Sequence, residues 1–175
     1  AMSAALPGDR HLLVLSDGMG VGKTAAAESR AAVELVEKLY SAGIEGGTAM
    51  ETVNRLLMQR GGETYTTADV CSIDLETGCA QLCKLGCPPT LWLNRSGISV
   101  LSGASLPAGI LEGSKPKLMN VSIEGGDWLI MMSDGVYDAL GSELLSTVAR
   151  FACGEAEGAA RCLVKAAESA DDRTV

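Results

Sequence analysis

The sequence predicts an α+β fold in which helix pairs pack on antiparallel sheets. Three observations predict it: an apolar strand followed by two segments of helical period, then six short strand-like runs joined by tight turns, then two further helical segments. Short links between strands imply antiparallel pairing. Helices grouped before and after the strands, rather than alternating with them, argue against a parallel sheet.

Residues 1–9 read as a leader or an appended remnant, and residues 10–175 as a single domain. His11-Leu-Leu-Val-Leu-Ser16 is an apolar run long enough for one buried strand, and a glycine-rich turn follows over 17–22. Residues 24–42 then repeat apolar side chains at Ala32, Val33, Val36, Leu39 and Tyr40, with Gly43 as the stop. The same spacing returns as Ala49, Met50, Val53, Leu56 and Leu57 behind a Thr48-x-x-Glu51 capping box, and Gly61-Gly62 ends it.

The strand block covers residues 69–75, 79–85, 90–93, 98–101, 118–123 and 128–132. Glu76-Thr77-Gly78 reads as a three-residue hairpin loop, which sets Leu75 opposite Cys79 and Cys71 opposite Cys83. The closing helices run through Leu144, Leu145, Val148, Phe151 and Ala152, and through Ala159, Ala160, Leu163, Val164 and Ala167. Asp171-Asp172-Arg-Thr-Val reads as the start of a final strand that the chain cuts short.

Fourteen basic against 22 acidic residues leave a formal charge of −8, and the basic residues are scattered. With two Trp, three Tyr and one Phe there is little to stack on bases, so the composition excludes nucleic-acid binding. The apolar runs at 12–15 and 128–132 fall far short of the ~18 residues a membrane span needs, which predicts a cytoplasmic piece without membrane contact. Of the six cysteines, Cys79, Cys83 and Cys87 recur every four residues. They lie in a strand-like stretch with no second thiol pair and only one histidine in the chain, so they read as buried thiols rather than a zinc site.

A local repeat carries the chemistry: Leu13-Val-Leu-Ser-Asp17-Gly and Ile130-Met-Met-Ser-Asp134-Gly. Each apolar strand delivers a carboxylate at its end, and Asp171-Asp172 abuts a third strand. Asp17, Asp134 and the Asp171 pair are hard oxygen ligands suited to Mg²⁺ or Mn²⁺, and glycine lets a backbone carbonyl such as that of Gly18 approach an ion. His11 is the only histidine, which excludes a Ser-His-Asp or Cys-His engine. A rival reading takes Gly18 to Thr24 as a nucleotide-binding P-loop, that of an NTPase. The P-loop pattern needs glycine where Asp17 stands, and a carboxylate there would repel triphosphate.

Six ordered segments carry a resemblance: Ser16-Asp-Gly-Met-Gly-Val-Gly-Lys-Thr-Ala, Thr67-Ala-Asp-Val-Cys-Ser-Ile-Asp, Lys84-Leu-Gly-Cys-Pro-Pro-Thr, Ser105-Leu-Pro-Ala-Gly-Ile, Met131-Met-Ser-Asp-Gly-Val-Tyr and Asp171-Asp-Arg-Thr-Val. Together they resemble the phosphatase domain of the stage II sporulation protein E family, a PP2C-like group of metal-dependent serine phosphatases. The resemblance implies a four-layer sandwich of two antiparallel sheets flanked by helix pairs. It implies that Asp17 bridges two Mn²⁺ or Mg²⁺ ions, that Gly18 lends a carbonyl, and that Asp134 and Asp171 complete the first ion's shell, with metal-activated water attacking phosphorus. Asp138 is a candidate for a weaker third ion or for a helix-start cap. The implied substrate is a phosphoserine on an anti-sigma-factor antagonist in sporulation control, and the implied parent protein is membrane-anchored. The resemblance also implies strands before the first Ser-Asp-Gly that include an acidic ligand to the second ion, so the sequence reads as an N-terminally trimmed domain whose open sheet edge allows a homodimer. A catalytically inactive binding module with this fold is the third reading. The helices over 24–60, springing from the Asp17 turn, read as a regulatory element.

Overall fold

The computed structural model describes residues 1–18, 23–59, 65–151, 155–168 and 173–175. In chain order the elements are β1 (Met2–Leu6), β2 (Arg10–Gly18), α1 (Lys23–Ser41), α2 (Gly46–Gln59), β3 (Thr66–Asp74), β4 (Cys79–Leu85), β5 (Thr90–Asn94), β6 (Gly97–Leu101), β7 (Lys117–Ser122), β8 (Trp128–Ile130), α3 (Asp134–Leu140), α4 (Leu144–Phe151) and α5 (Ala156–Ala166). They divide into two compact units, Ala1–Cys87 with Gly103–Glu124 and Pro88–Ser102 with Gly125–Val175. Among the described residues no helix is long and apolar enough to cross a membrane.

The first unit is a five-stranded sheet in the order β1-β2-β3-β4-β7, antiparallel at every pairing. Alternation along the strands sends Leu12, Val14, Ala68, Val70, Cys83 and Leu85 to one face. There they form a core with Ala32, Val33, Val36 and Tyr40 of α1 and with Ala49, Met50, Val53 and Leu57 of α2. Register places Leu15, Asp69 and Lys84 side by side on the opposite face. The second unit is a three-stranded antiparallel sheet, β6-β5-β8, whose Leu91 and Ile130 pack with α3, α4 and α5 through Val136, Leu140, Val148 and Leu163. Trp92 Nε1 donates to Asp127 at 3.1 Å and ties β5 to the approach to β8.

The structure departs from the sequence reading at five places in its elements and their register, and it also leaves Cys79, read as a buried thiol, exposed. Residues 2–6 are not a leader: they form β1, paired with residues 10–14 of β2. α2 starts at Gly46 with no capping box, since Thr48 already lies inside the helix and its carbonyl accepts the Thr52 hydroxyl at 2.8 Å. Glycine suits that start because a Cβ on Gly46 would come within 2.5 Å of the Tyr40 hydroxyl and 2.8 Å of Cys83 Sγ. Leu56 is 40 % exposed, while Asn54, at 2 %, takes the buried position on α2. Residues 134–140, passed over as a helix, form α3. α4 is described as far as Phe151, and Ala152, Gly61 and Gly62 lie outside the described residues.

The fifth departure is the β3–β4 register. Cys83 pairs with Val70 and Cys71 with Leu82, one residue from the expected pairing. The cause is Asp74, whose Oδ1 accepts the Glu76 and Thr77 amides at 3.0 and 2.8 Å, while Gly78 at φ +72° returns its N–H to the Asp74 carbonyl. The loop therefore opens one residue early and holds four residues. A slip of one residue reverses the faces, so Cys71 and Cys83 point to opposite sides of the sheet and cannot share an ion.

Burial, followed by the nearby Asp69 charge, pushes the Cys71 thiol up to about 12, and burial raises Cys83 to about 11. Tyr40, whose hydroxyl donates to Cys83 Sγ at 3.5 Å, is pushed above its ordinary value, mainly by burial. Thiol labelling at pH 8 should therefore reach exposed Cys79 and Cys162 while Cys71 and Cys83 resist until unfolding. Early labelling of either buried thiol contradicts this packing. Urea titration should show Met50→Ala losing about 2–5 kcal/mol and Leu56→Ala about 1 kcal/mol or less, because only Met50 leaves a buried cavity.

Candidate functional site

Asp17 and Gly18 are the last residues of β2, paired with Thr67 and Thr66 at the start of β3. Side-chain hydroxyls hold the backbone here. The Thr66 hydroxyl donates to the Asp17 carbonyl at 2.7 Å. Its single proton is then committed, so the Ser16 hydroxyl, 2.8 Å away, donates to Thr66 Oγ1. The Asp17 N–H donates to Thr67 Oγ1 at 3.1 Å, and Ser29 of α1 donates to the Ser16 carbonyl at 2.8 Å. Thr66 is fully buried, Ser16 and Thr67 nearly so, and Asp17 half-buried.

Register sets Asp17 and Thr67 on the sheet face that also carries the buried ion pair of Asp69 with Lys84. β4 stops at Leu85, so it gives Thr66 no neighbour on that side. Residues 105–108 fill the place. Ser105 Oγ accepts the Gly86 N–H at 3.1 Å and donates to the Lys84 carbonyl at 3.0 Å, and Thr66 and Ala108 exchange two backbone hydrogen bonds of 3.0 and 2.8 Å. Gly86 turns at φ +68°, and a Cβ there would meet the Pro107 backbone at 2.6 Å.

The second Ser-Asp-Gly ends differently. β8 stops at Ile130, and Asp134 opens α3, where the helix dipole favours a carboxylate. Its Oδ1 accepts the Gly135 N–H at 2.9 Å. Ser133 stands at the N-cap, yet its hydroxyl does not cap the helix. It accepts the Thr174 N–H at 3.1 Å, while the Ser133 N–H donates to the Thr174 carbonyl at 3.0 Å. Arg173 donates to the Ala167 carbonyl at 2.8 Å and so ties the same segment to the end of α5.

Asp171, with Asp172, lies outside the described residues. Asp17 belongs to the first unit and Asp134 to the second. Asp138 is exposed within α3, so the helix-start cap expected of it is corrected: that position is Ser133. His11 bonds Ser3 through Nε2 at 2.7 Å and lies six residues up β2 from Asp17, about 20 Å at strand rise, too far to act there. Sequence reading missed Thr66, Thr67 and Ser29. The adjacent Thr-Thr before an apolar strand was the available signal.

The sequence profile of the family described as stage II sporulation protein E (SpoIIE) matches residues 7–175. The chain belongs to the stage II sporulation protein E family. SpoIIE of Bacillus subtilis (strain 168) is 32 % identical over 130 residues, 74 % of this chain and 16 % of that protein. SpoIIE of Priestia megaterium is also 32 % identical over 130 residues, again 74 % of this chain and 22 % of that protein. The chain thus spans less than a quarter of the length of these relatives. The structure of the PP2C phosphatase domain of Bacillus subtilis SpoIIE, with a fragment of its regulatory domain, superposes with a TM-score of 0.84 at 26 % identity, covering 99 % of this chain and 55 % of that one.

The fold is therefore the α+β fold of the SpoIIE PP2C phosphatase domain, as the six segments implied. The P-loop reading is overturned. An NTPase sheet is parallel at its phosphate loop, whereas β2 pairs antiparallel with both of its neighbours. Urea titrations should show that Lys84→Met lowers unfolding free energy by about 3–5 kcal/mol and that the double variant Asp69→Leu/Lys84→Met recovers most of the loss, because a lone buried charge costs more than the pair contributes. Equal losses in the single and double variants would contradict that account.

Proposed function

We propose that this chain is the catalytic domain of a metal-dependent protein serine phosphatase, acting on a phosphoserine of an anti-sigma-factor antagonist protein in sporulation control. The observation that carries the reading is the end of β2, where a half-buried carboxylate and the adjoining Gly18 sit on a backbone held by the hydroxyls of Thr66, Thr67 and Ser29. A rigid backbone lets Asp17 and the Gly18 carbonyl serve as ligands without paying ordering entropy on binding.

The donor set fits hard divalent ions. Asp17, Gly18, Asp134 and Asp171 supply only oxygen, as Mn²⁺ or Mg²⁺ prefers. When bound, the ions supply Lewis-acid stabilisation of phosphoryl charge and water of lowered pKa. The chain's own residues hold the ligands: the hydroxyl cluster fixes Asp17, the start of α3 favours the Asp134 charge, and the Ser133–Thr174 pair anchors the segment three residues past Asp171. No side-chain nucleophile or histidine is required, which agrees with the distance of His11 from Asp17. The net charge of −8 fits a protein substrate better than nucleic acid. A cytoplasmic location in a membrane-anchored parent, and a homodimer, belong to the same reading.

The test is phosphate release from a phosphoserine protein of that class with Mn²⁺. Turnover should appear with Mn²⁺, vanish with chelator, and fall by about two orders of magnitude or more in Asp17→Asn and Asp134→Asn, the scale of losing one charge-stabilising group at a hydrolytic centre. Mn²⁺ binding without turnover in the parent chain would favour the inactive-module reading instead.

A further inference from the structure

α2 buries one polar side chain, Asn54, at 2 % exposure on a helix face otherwise lined by Met50, Val53 and Leu57. Both ends of its amide bond one loop: Nδ2 donates to the Leu111 carbonyl at 3.0 Å, and Oδ1 accepts the Gly109 N–H at 2.8 Å. Gly109 sits at φ +95°. Beyond the Ala108 bridge the turn has no ladder partner among the described residues, so the Asn54 bonds help to orient it.

The neighbouring residue of the loop is Ala108, buried and doubly bonded to the Thr66 backbone. Thr66 reaches the Asp17 carbonyl through its hydroxyl. Strand ends fray, and Thr66 has β2 on one side but no β4 on the other. The loop supplies that missing neighbour. A chain of direct bonds therefore runs from Asn54 through residues 108–111 and Thr66 to Asp17, entirely within the first unit.

We propose that Asn54 is a positioning residue for the metal site: it clamps the 108–111 loop against Thr66 and so holds the Asp17 backbone in ligating posture. The metal half of this claim rests on the function proposed above, while the mechanical half does not. Replacing partners that orient a metal ligand typically costs 10–100-fold in affinity. A chain of contacts alone does not establish coupling, so the test must read both ends.

Amide hydrogen exchange on the metal-free 175-residue chain reads the mechanical half. Asn54→Ala should speed exchange at the Gly109, Thr66 and Asp17 amides by about tenfold or more, while Val14 and Val70 in mid-strand keep their protection. Val53→Ala removes packing from the same helix without touching the clamp, and should leave Thr66 and Asp17 at their original rates. Should Asn54→Ala fail to fold, Gly109→Ala strains the loop from its other end and should give the same pattern. Faster exchange at Gly109 alone, or equal acceleration at Asp17 in Val53→Ala, overturns the proposal.

Mn²⁺ titration reads the other half. Affinity should weaken about 10-fold in Asn54→Ala, and the double variant Asn54→Ala/Thr66→Val should be no weaker than Thr66→Val alone, because both cut one chain. Additive losses overturn the relay. Absence of Mn²⁺ binding in the parent chain defeats the functional reading, and the exchange pattern still decides whether Asn54 holds Asp17.

Discussion

The pairing of Thr66 with Gly18 on one side and Ala108 on the other is the constraint on which the site depends. An isolated strand start would fray, and the carboxylate at the end of β2 would fray with it. Here the backbone is tied on both sides, and hydroxyls fill the space between strands. Thr66, Thr67 and Ser16 suit the task because each is small, β-compatible or neutral in a strand, and able to bond backbone groups that no ladder satisfies. The core of the first unit stands behind this arrangement, with α1 and α2 packed on the face opposite the one Asp17 occupies.

That arrangement holds a strand-end carboxylate in place in a chain with a single histidine. Among the described residues, the hydroxyls of Thr66 and Thr67 bond the Asp17 backbone. What the first unit offers is the Asp17 carboxylate and the Gly18 carbonyl at a strand end, with the backbone held by hydroxyls. Oxygen ligands suit hard cations, which under the function proposed above would supply the chemistry that imidazole performs elsewhere. Burial keeps Cys71 and Cys83 protonated, and the β3–β4 register sends them to opposite faces.

Much of this was legible in the sequence, and what was not has identifiable causes. Period-2 and period-3.6 patterns located β2, α1, α2 and the strand block because burial on one face leaves a repeating mark. The Ser-Asp-Gly repeat marked Asp17 and Asp134, since an acidic residue at the end of an apolar run stands out against its surroundings. The β3–β4 register was not readable, because it turned on whether Asp74 spends its carboxylate on the turn amides. Apolarity points to Leu56 as core, whereas Asn54 takes the buried position, and a polar residue on the apolar face is the exception that hydrogen bonds to a distant loop create. The loop over 105–111 left no periodic trace, as its order comes from backbone bonds to Thr66 and from Ser105. Seven residues made α3 too short to show a period.

Calorimetric titration of the chain with Mn²⁺, without nucleotide and alongside Asp17→Asn, tests the central claim most directly. The account predicts saturable heat in the parent chain that is lost in Asp17→Asn while both proteins unfold at similar denaturant concentrations. Equal binding by the two proteins would contradict it, because the carboxylate at the end of β2 would then not be the ligand around which the hydroxyl cluster, the 105–111 loop and the family's fold are arranged.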